Sequence, residues 1–404
     1  MWADRIIREA DDDWGFILRD RVNEIGYQSI TTPRTLAALE HALRRYGTMT
    51  LADLIQPAIA YAEQGCLIRP HIAEFWHRPP IAGRDANVGV ITKFPATRKI
   101  YTDATGALLE VGATLRNVDL ANTYRRITRD GAADFYSGEI AGQILADMRA
   151  NSGLLGEADL QSCTPEETSP LWGTYRGTRV ATNNPPGGGI MLIEMLNILE
   201  QFDLATIGHN TPEYIRIVSE AMKIATADKD AHVGDPRFVD VPIRHLTSKD
   251  YASRMADRIR RREKTPVPRF NLGGMESQHT TQLCIADDSS NAVTMTHTLG
   301  QPSGVVTEGL GFMYNGAMAV FDPRPGRAGS LVPGKSRFSA LSPTIVFKND
   351  QPFLVLGAPG ATYITMGNLQ VMLNVVDFGM NAEAAVSAPR FAAVSGFYAH
   401  ASAR

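Results

Sequence analysis

The chain is organised around the stretch His279–Leu299, which reads HTTQLCIADDSSNAVTMTHTL. A short polar turn between two runs of alternating residues predicts an antiparallel hairpin, because side chains alternate between the faces of a strand. If the turn holds three residues, Asp287 pairs with Asn291, and counting back places Thr280 directly opposite Thr298. A shift of one residue would send the two hydroxyls to opposite faces, so the register decides whether they meet.

A threonine hydroxyl becomes a useful nucleophile only when a base lies beside it. If the His279–Thr280 bond is cut, the new α-amino group of Thr280 can serve as that base, with a pKa of ~7.7–8.0 before perturbation. Thr298 would then orient the hydroxyl. The competing interpretation is structural, because facing threonines stabilise a hairpin by ~0.2–1 kcal/mol without any chemistry. Spacing alone favours the structural interpretation.

Composition excludes several classes of function. Forty Lys and Arg against 43 Asp and Glu give a formal net charge of −3 over 404 residues, which provides no electrostatic basis for binding nucleic acid or an anionic membrane. Three widely spaced cysteines and nine scattered histidines show no disulfide or metal-ligand spacing, so we expect neither a metal nor another cofactor. No apolar run reaches the ~20 residues of a membrane span, and the charged first residues do not resemble a signal peptide. The chain as written is expected to be cytoplasmic; a periplasmic or secreted location requires a true N-terminus further upstream.

Helix start and stop signals are frequent before the hairpin. Thr31-Thr32-Pro33 predicts the start of a helix that ends at Gly47, and Thr50–Asp53 predicts a capped helix that ends at Gly65, with Pro57 as a kink or as its true first turn. Other predicted helices are Leu120–Arg129, Gly138–Arg149 and a segment from Thr211 to about Val233. Residues 84–115 are predicted to be loops with short strands, and Trp172–Ala181 is predicted to be one strand.

Three further segments need an interpretation. Asn183–Gly189 is predicted to be a proline- and glycine-rich loop, and the helix that follows it is almost entirely apolar and therefore buried. Such a loop can bind an anion at the helix N-terminus. The favoured interpretation is that its glycines allow close packing of the backbone. The basic run 253–270 is interpreted as a solvated helix end and a linker to Gly273-Gly274. Gly329–Ser336 matches the phosphate-loop pattern, but its neighbours cannot supply the strand and helix that nucleotide binding needs. We place the main boundary just before Thr280.

Several separated segments, in the same order, resemble the γ-glutamyltranspeptidase family of N-terminal-nucleophile hydrolases. The segments are TPRTLAALEHALRRYGTMTLADLIQPAIAYAEQG, YRGTRVATNNPPGGGIMLIEMLNILEQFD, HTTQLCIADDSSNAVTMTHTLGQPSGVV, FSALSPTIVF, VLGAPGATYI and NAEAAVSAPRF. The resemblance implies an α/β (α+β) fold, a four-layer αββα sandwich, made as one precursor that cleaves itself before Thr280. Residues 1–279 would form a helix-rich large-subunit-like segment and residues 280–404 a small-subunit-like segment, together one composite domain.

The resemblance also implies an activity. Thr280 would form an acyl-enzyme from a small-molecule amide, such as a γ-glutamyl compound like glutathione, and water or an amine would then take the acyl group. After cleavage the two fragments would form a heterodimer, which could pair with a second copy. The residues implied are Thr280 and Thr298 for catalysis, the backbone N–H groups of Gly360 and Ala361 in the turn Pro359-Gly360-Ala361 for the oxyanion hole, and Thr296, Gly300, Ser339 and Ala340 for substrate binding.

Departures from the family pattern leave the substrate open. Family members that bind γ-glutamyl groups carry paired aspartates, one of which holds the substrate α-ammonium group, where this chain has Ala319 and Val320. Ala361 and Ala340 replace a glycine and a serine, and residues 322–337 show little similarity to the family's lid loop. The arginine that clamps the substrate α-carboxylate belongs to an N-terminal segment outside this sequence, and the similarity ends soon after Phe391. The alternatives are an acylase or small-amide hydrolase of the same mechanism, and a non-catalytic remnant of the fold.

Overall fold

The computed structural model of the protein describes residues 1–9, 15–80, 84–266 and 280–393. His279 and the Gly273-Gly274 linker lie outside these described residues. The chain divides into two compact units. The sheet unit comprises Met1–Phe16, Thr168–Thr298 and Val320–Arg404, and the helical unit comprises Ile17–Glu167 and Leu299–Ala319. The predicted division at residue 279 concerns where the chain is cut, and it stays a prediction.

Strands and helices alternate irregularly along the described residues. The strands are β1 (Ile6–Glu9), β2 (Phe16–Leu18), β3 (Cys66–Leu67), β4 (Thr114–Leu115), β5 (Leu171–Tyr175), β6 (Thr178–Thr182), β7 (Thr280–Ala286), β8 (Ala292–Thr298), β9 (Pro302–Val306), β10 (Met313–Asn315), β11 (Thr344–Lys348) and β12 (Gln351–Leu356). The helices are α1 (Thr35–Tyr46), α2 (Leu51–Gln64), α3 (Pro70–Trp76), α4 (Asn87–Ile91), α5 (Pro95–Tyr101), α6 (Val118–Asp130), α7 (Ala133–Ser137), α8 (Glu139–Ala150), α9 (Glu157–Gln161), α10 (Gly189–Leu199), α11 (Leu204–Ile207), α12 (Pro212–His232), α13 (Ile243–Leu246), α14 (Lys249–Arg260), α15 (Tyr363–Val376) and α16 (Ala382–Ser387).

A four-stranded antiparallel sheet, in the order β12-β11-β6-β5, forms the centre of the sheet unit. Every residue of α10 is buried, as its apolar sequence predicts, because β5, α12, α14 and α15 all pack against it. The β7–β8 hairpin packs against β11 and β12. The strand that begins with Thr280 is therefore supported by the sheet that leads into Gly360 and Ala361.

One predicted strand proved to be two. The segment predicted as a single strand at Trp172–Ala181 forms the β5–β6 hairpin, with Arg176 and Gly177 as its two-residue turn. Both turn residues have positive φ, 48° and 77°, which defines the tight turn that matches the twist of paired strands. Arg176 is held there by its Nε–H, which donates to Asp377 Oδ1 at 3.1 Å. The prediction of one strand was wrong because the alternating, β-branched and aromatic residues continue on both sides of the turn.

The helical unit confirms most predicted helices and corrects two regions. Helix α2 carries the predicted capping box of Thr50 and Asp53 and runs through Pro57, and α6 and α8 match their predictions within two residues. Helix α1 begins at Thr35, not at Pro33, because the Thr31 backbone N–H and hydroxyl both donate to Asn315 Oδ1. Residues 84–115 also contain α4 and α5, which the loop prediction missed.

The phosphate-loop pattern at Gly329–Ser336 lies in irregular backbone that leads to β11 without a helix between them. Lys335 is buried and donates its Nζ hydrogen to Ala328 O at 2.7 Å. The lysine therefore serves the loop itself, and the prediction that this segment lacks the flanking strand and helix of a phosphate loop is confirmed. Among the residues described, none of the helices combines the length and the apolar character that crossing a membrane requires.

A buried carboxyl group makes the stability of the sheet unit depend on pH. Glu194 in α10 is 1% exposed, and its Oε1 atom has no hydrogen-bond partner within the described part of the chain. Burial, and then the nearby Asp228 carboxylate of α12, raises the pKa of Glu194 well above its ordinary value of 4.5. The folded state then binds this proton more tightly than the unfolded state. The resulting stability is present at low pH and is lost as pH rises through the folded pKa.

We predict that Glu194→Gln removes this loss, because glutamine keeps the shape of the side chain and does not ionise. Urea denaturation between about pH 5 and pH 9 should show the free energy of unfolding of the variant exceeding that of the wild type by a margin that grows with pH. Glu383→Gln, at an exposed carboxylate of α16, is the control and should show no growing margin. Parallel pH profiles for Glu194→Gln and the wild type would contradict the prediction.

Candidate active site

The β7–β8 hairpin has the predicted register, with Thr280 opposite Thr298. The three-residue turn is closed by Asp287, whose backbone N–H donates to Asn291 O at 3.1 Å and whose Oδ1 accepts the Asn291 N–H at 2.9 Å. The Thr280 hydroxyl donates to Thr298 Oγ1 over 3.1 Å. The structure thus joins by a hydrogen bond the two hydroxyls that the sequence predicts to face each other.

The base for Thr280 has to come from the chain near this pair. His297 is the neighbouring titratable side chain on β8, but it pairs with Thr281 and faces the opposite side of the hairpin. Partial burial also lowers the pKa of His297. A hydroxyl alone cannot accept the proton at neutral pH. That the α-amino group created by cleavage before Thr280 is the base stays a prediction.

The predicted oxyanion residues lie in the turn between β12 and α15. Gly360 is buried with φ of 130°, and Ala361 has φ of 50°. Within the described residues, neither backbone N–H donates a hydrogen bond, whereas Gly360 O accepts the Tyr363 N–H at 2.9 Å. An unpaired, buried N–H is rare and costs ~1–3 kcal/mol. Gly360, which is buried, and Ala361, which is half-buried, place two N–H groups beside the N-terminus of a 14-residue helix, where they are suited to hold a developing oxyanion.

Ser339 and Ala340 are held against the glycine-rich loop and against α15. The Ser339 N–H donates to Pro186 O at 2.8 Å, and the Thr365 hydroxyl donates to Ala340 O at 2.9 Å. A Cβ atom on Gly188 would approach Ala340 O to 2.6 Å. Glycine is therefore required here for close packing, as predicted. Because Thr365 lies in the first turn of α15, the same helix fixes the oxyanion turn and the Ser339–Ala340 segment.

The other predicted substrate residues have different surroundings. The Thr296 hydroxyl donates to Gln282 Oε1 at 2.5 Å. Gly300 belongs to the helical unit and has φ of 70°, a conformation that favours glycine. Ala319 is completely buried, and Val320 lines a cavity in the sheet unit. Substrate binding by Thr296 and Gly300 stays a prediction.

Sequence reasoning assigned no role to Gln282, although strand alternation places it on the same face as Thr280. Its carboxamide lies between two threonines of β8, accepting the Thr296 hydroxyl and donating to Thr294 Oγ1 at 2.8 Å. The available signal was a polar, hydrogen-bonding residue two positions after the nucleophile. Nothing in the sequence indicates what this side chain contacts beyond the hairpin.

Comparisons with known proteins show the family to which the chain belongs. A family model described as gamma-glutamyltranspeptidase matches residues 15–397. The chain is 34% identical over 396 residues to the glutathione hydrolase proenzyme of Escherichia coli strain K12, covering 93% of this chain and 67% of that protein. It is also 34% identical over 375 residues to the acylase ACY 1 proenzyme of Pseudomonas sp. strain SE83, covering 92% and 65%.

Solved structures give the same result. Cephalosporin acylase from Bacillus halodurans matches with a TM-score of 0.79 and 30% identity, over 91% of this chain and 67% of that one. Helicobacter pylori γ-glutamyltranspeptidase matches with a TM-score of 0.56 and 31% identity, over 63% and 72%.

These solved structures confirm the predicted fold class, the four-layer αββα sandwich of the N-terminal-nucleophile hydrolase type. The chain belongs to the γ-glutamyltranspeptidase family. It spans about two thirds of the length of the curated relatives named here, between 65% and 67%. The relatives include both hydrolases of glutathione and acylases by name, so the family alone does not decide between the two predicted substrate classes.

The left-handed conformation of Ala361 provides a test of the turn geometry. An L-residue pays roughly 1–2 kcal/mol in this region, a cost that glycine avoids. We predict that Ala361→Gly raises the free energy of unfolding by about 1 kcal/mol in urea denaturation, while both N–H groups remain. Ala358→Gly, in the same loop but without positive φ, is the matched control and should lower stability by about 0.4–1 kcal/mol. Equal losses in both variants would contradict the described turn.

Proposed function

We propose that this chain is a γ-glutamyltranspeptidase-like amidohydrolase and acyltransferase, cut before Thr280, with Thr280 as its nucleophile. The observation that carries the proposal is the 3.1 Å hydrogen bond between the hydroxyls of Thr280 and Thr298. A β-branched side chain has few χ1 rotamers, so a single partner suffices to aim its hydroxyl. The family relatives named as proenzymes support a chain that is processed before it acts.

The reaction follows from the positions of these groups. The free α-amino group of Thr280 accepts the hydroxyl proton while Oγ1 attacks the amide carbonyl carbon, and the carbonyl electron pair moves to oxygen. The N–H groups of Gly360 and Ala361 then stabilise that oxyanion, at ~2.7–4 kcal/mol for each donor. As the intermediate collapses, the departing amine takes the proton and an ester forms on Oγ1. Water or an acceptor amine attacks the ester by the same proton transfers and releases the acyl group.

The two fragments of the cut chain would remain together. Strand β6 precedes the cut and β11 follows it, and the two pair antiparallel from Thr344–Thr182 to Phe347–Arg179. Helix α10 likewise packs on α15 across the same division of the chain. One sheet and one core are thus built from both fragments, which supports a heterodimer of the chain's own segments that forms one composite domain. The same reasoning does not extend to pairs of heterodimers.

An acylase whose substrate lacks an α-ammonium group is the second candidate. The observation that favours it is a cavity of about 530 Å³ in the sheet unit, lined in part by Val320 at a position where γ-glutamyl-binding relatives carry an aspartate. The cavity also contacts Phe338 and Thr362, which adjoin Ser339 and Ala361 in the chain. An ammonium group beside Val320 would lack a charge-assisted hydrogen bond of ~1.5–3 kcal/mol.

Other carboxylates in this cavity already have cationic partners. Asp322 and Glu9 both bind Arg324, at 2.8 and 2.9 Å, and Asp230 binds Lys229. An incoming ammonium group would compete with these cations for the carboxylate oxygens. The lining residues that the structure describes therefore fit an acyl group without an α-ammonium group better than one with it.

The nucleophile is tested by denaturing electrophoresis of the purified protein. The wild type should appear as two fragments, the smaller one beginning with Thr280, because the precursor cuts itself. Thr280→Ala should remain one chain of 44.0 kDa. Thr281→Ala, whose side chain points to the other face of β7, is the matched control and should be cut normally. A wild-type chain that stays whole on long incubation would support the non-catalytic remnant, and processing of Thr280→Ala would refute the nucleophile.

The substrate class is tested with matched anilides. A γ-glutamyl anilide and a glutaryl anilide differ only in the α-amino group, so their kcat/KM ratio measures recognition of the ammonium group. The first candidate function predicts faster turnover of the γ-glutamyl compound, and the acylase predicts equal or faster turnover of the glutaryl compound. In either case Val320→Asp should shift the ratio toward the γ-glutamyl compound by about 10-fold or more. Val320→Asn is the uncharged control, and an equal shift there would contradict a role for charge.

A further inference from the structure

The carboxamide of Gln282 connects β7, the strand that begins with Thr280, to the residues that lead into the turn of Gly360 and Ala361. On the hairpin, its Oε1 accepts the Thr296 hydroxyl at 2.5 Å and its Nε2–H donates to Thr294 Oγ1 at 2.8 Å. The Thr294 hydroxyl in turn donates to the backbone oxygen of Leu356, the last residue of β12, at 2.9 Å. A side chain two residues after Thr280 is thereby hydrogen-bonded, through one threonine, to the strand that leads into the turn.

The next residue of the chain, Gly357, makes the contact direct. A Cβ atom on Gly357 would lie 2.2 Å from Oε1 of Gln282, 2.3 Å from Cδ and 2.5 Å from Nε2. The carboxamide therefore occupies the space that a Cβ atom of residue 357 would need. Gly357 is not among the described residues with positive φ, so backbone conformation does not require glycine there. The requirement comes from the approach of Gln282.

The contact between Gln282 and Gly357 lies close in sequence to the two proposed oxyanion donors. Gly357 is followed by Ala358 and Pro359, and then by Gly360 and Ala361, whose N–H groups make no hydrogen bond within the described residues. Few torsions separate Gly357 from Gly360, and proline fixes one of them. A displacement of Gly357 is thus passed on to the donors rather than absorbed by a flexible loop.

We propose that Gln282 is a positioning residue, whose carboxamide sets the separation between Thr280 and the oxyanion donors Gly360 and Ala361. The proposal rests on the proposed function, in which Thr280 is the nucleophile. Oxyanion donors act at 2.7–3.1 Å from the charge they stabilise, and a misplacement of about 1 Å can lower a rate by about 100-fold. Because these donors bind the transition state more tightly than the ground state, a shift of the turn lowers kcat with little change in KM.

The test is a double-mutant cycle between the two residues, read by kcat and KM on an anilide substrate. Gly357→Ala alone should lower kcat by about 10- to 100-fold with a KM change below about 3-fold, because the new methyl group displaces the carboxamide and the turn together. Gln282→Ala alone should lower kcat by about 10-fold. The double variant should be more active than Gly357→Ala alone, because the alanine methyl occupies the space that the carboxamide leaves. Gln282→Met, which keeps contact with Gly357 but loses the hydrogen bonds, should retain more activity than Gln282→Ala.

Two matched controls separate positioning from general effects. Gly367→Ala places the same methyl group in α15, where it would meet no atom within 4 Å, and Gln351→Ala removes an exposed glutamine of β12. Both should keep wild-type kcat and KM. The thermal unfolding midpoint of every variant tests the Gln282–Gly357 contact by a measurement that does not depend on activity.

The results separate the positioning role of Gln282 from the proposed function of Thr280 on which it rests. If the wild type is cut and active but Gly357→Ala keeps full kcat, or loses the same factor with and without Gln282, the positioning role is wrong and the proposed function stands. If the variants raise KM and leave kcat unchanged, Gln282 contributes uniform binding and the proposal is overturned. A wild type that is neither cut nor active refutes the proposed function, and the positioning role with it.

Discussion

The register of the β7–β8 pair is the constraint on which the rest of the site depends. A one-residue slip would move Thr280 and Gln282 to the opposite face, breaking the 3.1 Å hydroxyl pair and the contacts with Thr294 and Thr296 together. The turn around Asp287 prevents that slip, since three of its hydrogen bonds are specific to a three-residue loop. Local hydrogen bonds at one end of the hairpin therefore decide the chemistry available at the other end.

Features with short-range causes could be predicted from the sequence. The facing threonines follow from the two-residue period of a strand, and the burial of α10 follows from apolar residues on most of its sides. The β5–β6 turn was missed because Arg176 adopts a positive φ that only its contacts explain. Helices α4 and α5 were missed because turn residues surround each of these short segments.

Only part of the candidate site could be predicted from the sequence. Thr280 and Thr298 could be argued from alternation and mechanism, whereas Gly360, Ala361, Ser339 and Ala340 came from resemblance to a family. The long-range contact between Gln282 and Gly357 could not be inferred, because no periodicity relates residues on β7 and after β12. The replacement of paired aspartates by Ala319 and Val320 was visible, but the surroundings of Val320, a cavity whose carboxylates already bind cations, required the structure.

In the proposed reaction the Thr280 hydroxyl carries the acyl group of the substrate as an ester. Mass spectrometry of the protein, acid-quenched during turnover of an amide substrate and then digested, locates the acyl group directly. One added acyl mass is expected on the peptide that begins with Thr280; base should remove it, as it removes an ester, and Thr280→Ala should lack it. An acyl group on any other peptide, or turnover without an acylated intermediate, would contradict the proposed reaction.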